Sequence, residues 1–134
     1  MLGEADLITE GLEPGDRMAS MMAPTLALDS NGVVLAAGAA GGTRLRSALL
    51  EVVAGILDEG LGPQDAVDRP RVHPAGSLVH LEPGFGPETV GALESAGFEV
   101  RTWESKHHFF GGVSVVTRAS AAADPRRNGA ALIV

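Results

Sequence analysis

An Asn-Gly pair between two apolar stretches is the feature that most restricts how this chain of 134 residues folds. The stretches "TLALD" and "VVLAAG" are rich in strand-forming residues and are separated only by Ser30-Asn31-Gly32. Asn-Gly in this position is the strongest short-range hairpin signal, because both central residues of such a turn accept a positive φ. The sequence therefore predicts an antiparallel strand pair in the first third of the chain.

A helix is predicted directly after this hairpin, over residues 44–57. Apolar side chains recur there at helical spacing, namely Leu45, Leu49, Val52, Val53 and Ile56. Thr43 is the predicted N-cap and Gly60 the predicted stop. We expect the helix to bury one stripe in the core.

The rest of the chain is predicted to alternate between short helices and strands. Pro63 opens a helix that Pro70 ends, because a proline disfavours the α conformation in the residue before it. The remaining predictions are a strand at "SLVHLE", a helix and strand within "GPETVGALESAGFEV", a strand at "GGVSVVTRA", surface turns at 119–123 and 124–129, and a last strand at "AALIV".

This order of elements favours an α+β layered sandwich over a doubly wound parallel sheet, because a tight hairpin is the most strongly indicated connection between strands. One domain over residues 1–134 is expected from the length of the chain. Residues 1–19 contain several glycines and a proline, so we expect them to be a flexible lead-in.

Composition excludes several classes of partner. The net charge is −7, with 10 Lys and Arg against 17 Asp and Glu, so the chain has no basic surface for nucleic acid or anionic membranes. It lacks the run of about 20 apolar residues that a membrane span needs, and its acidic amino terminus does not resemble a signal peptide. We expect a soluble chain, with the compartment left open.

The histidines offer little support for a metal site. His73 and His80 are seven residues apart and His107 and His108 are adjacent, so the spacings typical of zinc sites are missing. The chain has no cysteine to complete a ligand set. We therefore expect histidines at the surface or at strand ends, and neither a metal nor a cofactor.

Gly41-Gly42, at the predicted mouth of the first helix, is the candidate site. Backbone N–H groups in the first turn of a helix lack intrahelical partners, and the helix dipole adds partial positive charge there. Without side chains, these residues can approach a reacting carbonyl and form an oxyanion hole. On the pattern alone, a simple sharp turn between strand and helix is the favoured interpretation, because glycine pairs are common at such turns.

Five segments together resemble the carboxyl-terminal part of the small subunit of the γ-glutamyltransferase family, also called γ-glutamyltranspeptidase or glutathione hydrolase. They are "RMASMMAPT" (17–25), "GAAGGTRLRSALLEVV" (38–53), "DAVDRPRVH" (65–73), "LEPGFGPET" (81–89) and "AADPRRNGAALIV" (122–134). The resemblance covers nearly the whole chain.

The resemblance implies part of an N-terminal-nucleophile hydrolase, an αββα sandwich formed when a precursor cleaves itself into two subunits. It also implies that the new amino-terminal threonine attacks a γ-glutamyl amide such as glutathione, with its own α-amino group as base. The acyl-enzyme then passes the acyl group to water or to an acceptor amine.

Particular residues take roles from this resemblance. Gly41 and Gly42 match a glycine pair, "GSPGG" in the family and "GAAGG" here, whose amides stabilise the oxyanion. Ser20 matches the first serine of a pair that binds the substrate's α-carboxylate, while Met21 takes the second place and cannot donate a hydrogen bond. Glu4 matches an acid that holds the α-ammonium group.

These roles have simpler alternatives. Ser20 is also in place to cap a turn before Pro24. Glu4 is also compatible with an ordinary solvated acid near a chain end. Arg17 and Arg44 are expected to pair with carboxylates, as supports for the site.

The catalytic threonine of the family has no counterpart here, since no threonine lies in a Thr-Thr-His context or at the terminus. The resemblance therefore implies a chain that starts downstream of the nucleophile and is inactive without the large subunit and the beginning of the small one. Such a piece should expose sheet edges and self-associate. Two other functions remain open: a related acylase of the cephalosporin-acylase kind, which Met21 favours, and a non-catalytic domain that binds a small molecule or a partner chain.

Overall fold

The computed structural model describes residues 12–17 and 20–133. Its strands are β1 (Thr25–Asp29), β2 (Gly32–Ala40), β3 (Val72–Ala75), β4 (Leu78–Leu81), β5 (Glu99–Thr102), β6 (Gly112–Thr117) and β7 (Ala121–Ala123). Its α-helices are α1 (Leu45–Leu57), α2 (Pro63–Asp68) and α3 (Pro87–Ser95), and short 3-10 helices lie at Gly42–Arg44, His108–Phe110 and Pro125–Arg127. The predicted α+β class is confirmed.

The predicted hairpin is formed by β1 and β2, which pair antiparallel with Thr25 opposite Ala37. Its turn differs from the prediction, because only Gly32 has a positive φ, of 102°, and Asn31 does not. A register shift after Ala27 and a hydrogen bond from the Asn31 N–H to Asp29 Oδ1 (2.7 Å) accommodate the different turn. This combination is typical of hairpin loops that end in a glycine and a bulge.

A four-stranded antiparallel sheet in the order β1-β2-β6-β7 holds the main core on one of its faces. Helices α1 and α2 pack there against alternate side chains of the central strands β2 and β6. The predicted stripe of α1 is confirmed, since Leu45, Leu49 and Val52 are buried and Val53 and Ile56 are partly buried against the core. The candidate site follows the end of β2 in this sheet.

The second sheet has three strands in the order β3-β4-β5. Strands β3 and β4 form an antiparallel pair, whereas β4 and β5 are parallel because α3 carries the chain between them. Pro63 and Pro87 occupy the first turns of α2 and α3, as predicted. Strand β3 was not predicted, because Pro74 lies within it and proline cannot donate to a strand ladder.

The end of the chain differs from the sequence prediction. Residues 130–133 of "AALIV" form no strand, and the last described strand is β7, where a surface turn was predicted. An alanine run has low intrinsic strand preference. Ala122 nevertheless pairs with Val115 and is buried at 3% exposure, because a small side chain fits between the sheet and α2.

The start of α1 also differs. Thr43 is not its N-cap, because the 3-10 turn Gly42–Arg44 precedes the helix and places Arg44 at the capping position, with no side-chain capping bond. None of the helices in the described ranges is long and apolar enough to cross a membrane.

Candidate functional site

The Gly41–Gly42 turn joins β2 to the 3-10 helix before α1. Gly41 has φ 138° and ψ 24°, and Gly42 has φ 60°, so both residues use backbone conformations that favour glycine. A Cβ atom on Gly41 would lie 2.6 Å from the Cα of Gly111, which leaves no room for any side chain. Gly41 is therefore required by lack of space, and Gly42 is favoured by its positive φ.

The hydrogen-bond pattern of the turn leaves its donors free within the described residues. The carbonyl oxygens of Gly41 and Gly42 accept from the N–H groups of Arg44 (3.4 Å) and Leu45. Neither the Gly41 N–H nor the Gly42 N–H donates to a protein oxygen in residues 12–17 and 20–133. Both glycines are half-buried. Two unpaired amides at the start of a helix are suited to donate to an oxygen that gains negative charge.

A cavity of about 400 Å³ lies beside this turn, and we call it the β2–β6 hollow. Residues with small side chains or none leave this space open at the ends of the two strands, and the turn after β7 closes it. The lining residues are Gly38, Ala39, Ala40, Gly112, Ser114, Asp124, Arg127 and Gly129. The hollow reaches Ala40, the residue directly before Gly41. The lining of the hollow on β2 therefore ends one residue before the glycine turn.

Arg127 is the cation of this hollow, and sequence reasoning did not single it out. Its side chain lies across Gly112, where a Cβ atom would be 2.6 Å from its Cδ. Its Nη2 is 3.6 Å from the ideal Cβ position of Gly41, and the described residues give it no ion pair. The adjacent arginines in "DPRRNG" are the sequence signal for it. A short turn seldom buries two cations, so one of the two is expected to stay accessible.

Ser20 and Glu4 are the other two predicted site residues, and the structure describes only Ser20. Ser20 is exposed, and its Oγ accepts a hydrogen bond from the Met22 N–H at 3.2 Å, as in the turn-capping alternative. Ser20 precedes β1 and Gly41 follows β2. Because β1 and β2 are antiparallel, with Thr25 opposite Ala37, both residues lie beyond the same end of the strand pair. Glu4 lies outside the described residues.

A buried charge network fastens the turn that carries Arg127. Arg126 donates to Glu82 through Nε (2.7 Å) and Nη2, and Asp124 contacts both Arg126 (3.3 Å) and Arg71 (2.6 Å). All four side chains are buried. Burial and the neighbouring Arg126 lower the pKa of Arg71, and although burial alone would raise the pKa of Asp124, Arg71 holds it below its ordinary value. The predicted turn after Ala123 is thus tied to the second sheet.

Two histidines lie inside the protein rather than at the surface or at strand ends, so that prediction was wrong for them. His73 and His80 face each other across β3 and β4, at 8% and 7% exposure. His73 Nδ1 is 2.7 Å from Ser47 Oγ, and His80 Nδ1 accepts from Trp103 Nε1 at 3.2 Å. Burial, with help from Arg44, lowers the pKa of His73 to about 4, and burial also lowers the pKa of His80.

These histidines do not form a metal centre with their neighbours. Across residues 12–17 and 20–133, no three His, Asp or Glu side chains are grouped so that they could hold a metal ion. Arg44, expected to pair with a carboxylate, instead donates from Nε to the Phe109 carbonyl (3.1 Å) and lies over the Phe109 ring.

Comparison with known proteins identifies the family. The family model described as gamma-glutamyltranspeptidase matches residues 5–134. The chain belongs to the gamma-glutamyltranspeptidase family. The glutathione hydrolase proenzyme of Pseudomonas sp. (strain A14) is 32% identical over 140 residues, which cover 94% of this chain and 24% of that protein.

Solved structures of this family and of an acylase share the fold. The transpeptidase CapD of Bacillus anthracis matches 91% of this chain and 75% of its own, with a TM-score of 0.77 and 25% identity. The cephalosporin acylase of Bacillus halodurans matches 86% of this chain and 23% of its own, with a TM-score of 0.76 and 25% identity. The predicted fold class, part of an N-terminal-nucleophile hydrolase, is confirmed. The chain spans only 16% to 24% of the first curated relatives it matches.

Proposed function

We propose that this chain is the carboxyl-terminal part of the small subunit of an enzyme that cleaves or transfers γ-glutamyl amides such as glutathione. Membership of the gamma-glutamyltranspeptidase family supports this proposal, together with relatives named glutathione hydrolase proenzymes. The hydroxyl of an amino-terminal threonine, supplied from outside this chain, attacks the γ-glutamyl amide carbonyl; the C–N bond breaks, the amine leaves with the proton from the hydroxyl, and an acyl-enzyme ester remains. Water or an amine then releases the acyl group.

The amides of Gly41 and Gly42 are the oxyanion donors in this proposal. The observation that carries it is the turn in which both N–H groups lack a protein acceptor within the described residues, at the start of the 3-10 helix that leads into α1 and next to the end of β2 that lines the β2–β6 hollow. When the threonine attacks, the carbonyl oxygen becomes negative and accepts from both amides. One such donor is typically worth about 3 kcal/mol of transition-state stabilisation.

The substrate's charged ends are held by three side chains in this proposal. Ser20 donates to the α-carboxylate, without help from Met21, and Glu4 holds the α-ammonium group. Arg127 is the cation of the hollow and has no ion pair among the described residues, so we assign it a carboxylate of the substrate. A planar guanidinium suits a carboxylate because it donates two parallel hydrogen bonds.

The chain alone should be inactive and should self-associate. It has no threonine in a Thr-Thr-His context, so the nucleophile must come from the preceding part of the small subunit, and the large subunit completes the site. One face of the four-stranded sheet carries exposed Leu26, Leu28 and Val116, at 62%, 68% and 56% exposure. Apolar surface of this kind favours association with another sheet or with a second copy.

The test uses the complete polypeptide that contains this chain and its threonine. We expect Gly41→Ala to lower kcat for a γ-glutamyl anilide by about 100-fold to 1,000-fold, since the turn has no room for a methyl group. Gly91→Ala on α3 is the matched control, because a Cβ atom there meets nothing within 4 Å. Equal rates for the two variants would contradict the assignment.

A related acylase is the second candidate, because Met21 replaces a carboxylate-binding serine and the cephalosporin acylase of Bacillus halodurans has the same fold. Its acyl group would lack the α-ammonium that Glu4 is proposed to hold. Faster hydrolysis of a glutaryl anilide than of the γ-glutamyl anilide would favour this candidate. Binding of either compound without hydrolysis would instead favour the non-catalytic domain.

A further inference from the structure

A second glycine-containing segment, His107–Gly112, lies directly against the Gly41–Gly42 turn. A Cβ atom on Gly41 would be 2.6 Å from the Cα of Gly111, and a Cβ atom on Gly111 would be 2.9 Å from the Ala40 carbonyl oxygen. Gly111 has φ 79°, which also favours glycine. The two backbones therefore meet without any side chain between them, and a shift of one must move the other.

Arg44 links the same two segments by a different route. Its N–H donates to the Gly41 carbonyl at 3.4 Å, so its backbone belongs to the glycine turn. Its side-chain Nε donates to the Phe109 carbonyl at 3.1 Å, and its guanidinium carbon lies 4.7 Å from the centre of the Phe109 ring. A planar guanidinium makes both contacts at once, which an ammonium group does not.

The segment is itself firmly held. The Phe109 N–H donates to His107 Nδ1 at 3.1 Å, and the His107 N–H donates to Glu82 Oε1 at 3.2 Å. The Phe109 ring stacks on Trp103 with centroids 4.8 Å apart, and the buried Phe110 offers its carbonyl to Arg71 (3.2 Å). These contacts anchor the segment to the second sheet and to the buried charge network.

The glycine turn requires contacts from outside to fix the direction of its amides. Glycine has the broadest choice of backbone conformations, so two adjacent glycines do not fix the direction of their own amides. Donors in a catalytic site must be held within about 0.5 Å of the productive position. We infer that the segment His107–Gly112 positions the amides of Gly41 and Gly42, through Gly111 and through the contact of Arg44 with Phe109.

This inference rests on the proposed function for its catalytic meaning, but its structural content can be tested without activity. Arg44 is then a positioning residue, because it acts through the turn and does not touch the substrate. It differs from Arg127, which faces the hollow.

The first experiment measures amide chemical shifts and backbone order parameters by NMR on the 134-residue chain, with Arg44→Gln, Arg44→Lys and the control Arg46→Gln, which changes an exposed arginine two residues away. We expect Arg44→Gln to shift the Gly41 and Gly42 resonances and to lower the order parameters of their N–H bonds from about 0.85 toward about 0.6, since the contact that holds the turn against Phe109 is lost. Arg44→Lys should give an intermediate change, and Arg46→Gln none. Unchanged Gly41 and Gly42 amides in a folded Arg44→Gln variant would overturn the inference.

The second experiment measures kinetics of the complete enzyme with the same variants. We expect Arg44→Gln to lower kcat by about tenfold to 100-fold with KM within about twofold, because displaced donors weaken transition-state binding more than substrate binding. Partial recovery in Arg44→Lys would support positioning, and a raised KM at unchanged kcat would contradict it. If the wild-type enzyme does not process γ-glutamyl amides, the proposed function fails, while the NMR order parameters still decide the positioning claim.

Discussion

Glu51 is a half-buried residue whose ionisation should weaken the fold. It lies on α1, and its Oε1 accepts a hydrogen bond from the Val72 N–H of β3 at 3.0 Å. Its Oε2 is buried and has no hydrogen-bond partner in the described residues. Burial raises the pKa of Glu51 from 4.5 to about 7, despite the opposing effects of the Val72 hydrogen bond and Arg71.

The raised pKa links folding to pH with a definite sign. Between pH 4.5 and about 7 the folded chain keeps a proton on Glu51 that the unfolded chain has released. The folded state binds more protons over this range, so this contribution to stability is present in acid and is lost as the pH rises. A pKa difference of this size corresponds to about 3 kcal/mol of unfolding free energy.

Glu51→Gln is the variant that tests this account. The amide keeps an acceptor for the Val72 N–H and cannot ionise, and any penalty for its unpaired NH₂ is the same at every pH. The difference in unfolding free energy, variant minus wild type, should therefore increase by about 3 kcal/mol between pH 4.5 and pH 8. Urea unfolding at several pH values, followed by circular dichroism and by the fluorescence of Trp103, measures it.

The comparison with wild type is necessary because His73 titrates in the opposite sense. Its pKa is lowered to about 4 by burial, so its contribution to stability is lost as the pH falls below about 6.5. Glu94→Gln, at an exposed position of α3, is the control for the same chemical change away from the interior. Parallel pH profiles for Glu51→Gln and wild type would refute the reasoning.

Three further predictions follow from the charge network, the hollow and the exposed sheet face. Arg126→Met should lower the unfolding free energy of the chain by about 3–5 kcal/mol in urea titrations, because it leaves Glu82 buried and unpaired; a loss below 1 kcal/mol would contradict this. Arg127→Gln should change stability little and, in the complete enzyme, raise KM for a substrate carrying a carboxylate about tenfold at similar kcat. Val116→Lys should reduce self-association of the isolated chain in light scattering, and a wild-type chain that is already monomeric would count against the exposed face as a contact surface.

Local signals in the sequence were sufficient for the hairpin and the helices. Asn31-Gly32, Pro63 and Pro87 fix chain direction through their own backbone preferences, and the apolar stripe of α1 follows from its helical spacing. Each of these features depends on residues close together in the chain. For the same reason they could be predicted without knowing the tertiary structure.

The features that could not be predicted depend on contacts between residues far apart in the chain. Arg126 and Glu82 are 44 residues apart in the chain, and no local pattern indicates that their side chains meet in the core. Strand β7 exists because its alanines pair with β6 and fit under α2, although alanine has little strand preference. Ring contacts with Phe109 and Trp103 likewise make His80 an interior residue.

Arg126 and Arg127 show how one short turn contributes both to the core and to the candidate site. In a 3-10 helix, neighbouring side chains point about a third of a turn apart, so two consecutive arginines cannot face the same way. Arg126 enters the buried network with Glu82 and Asp124, and Arg127 is left to face the β2–β6 hollow. The hydrogen bond from the Arg126 N–H to Asp124 Oδ1 (2.9 Å) holds the turn in this orientation. A change at Asp124 would therefore weaken the core and also move the cation that the proposed function assigns to the substrate.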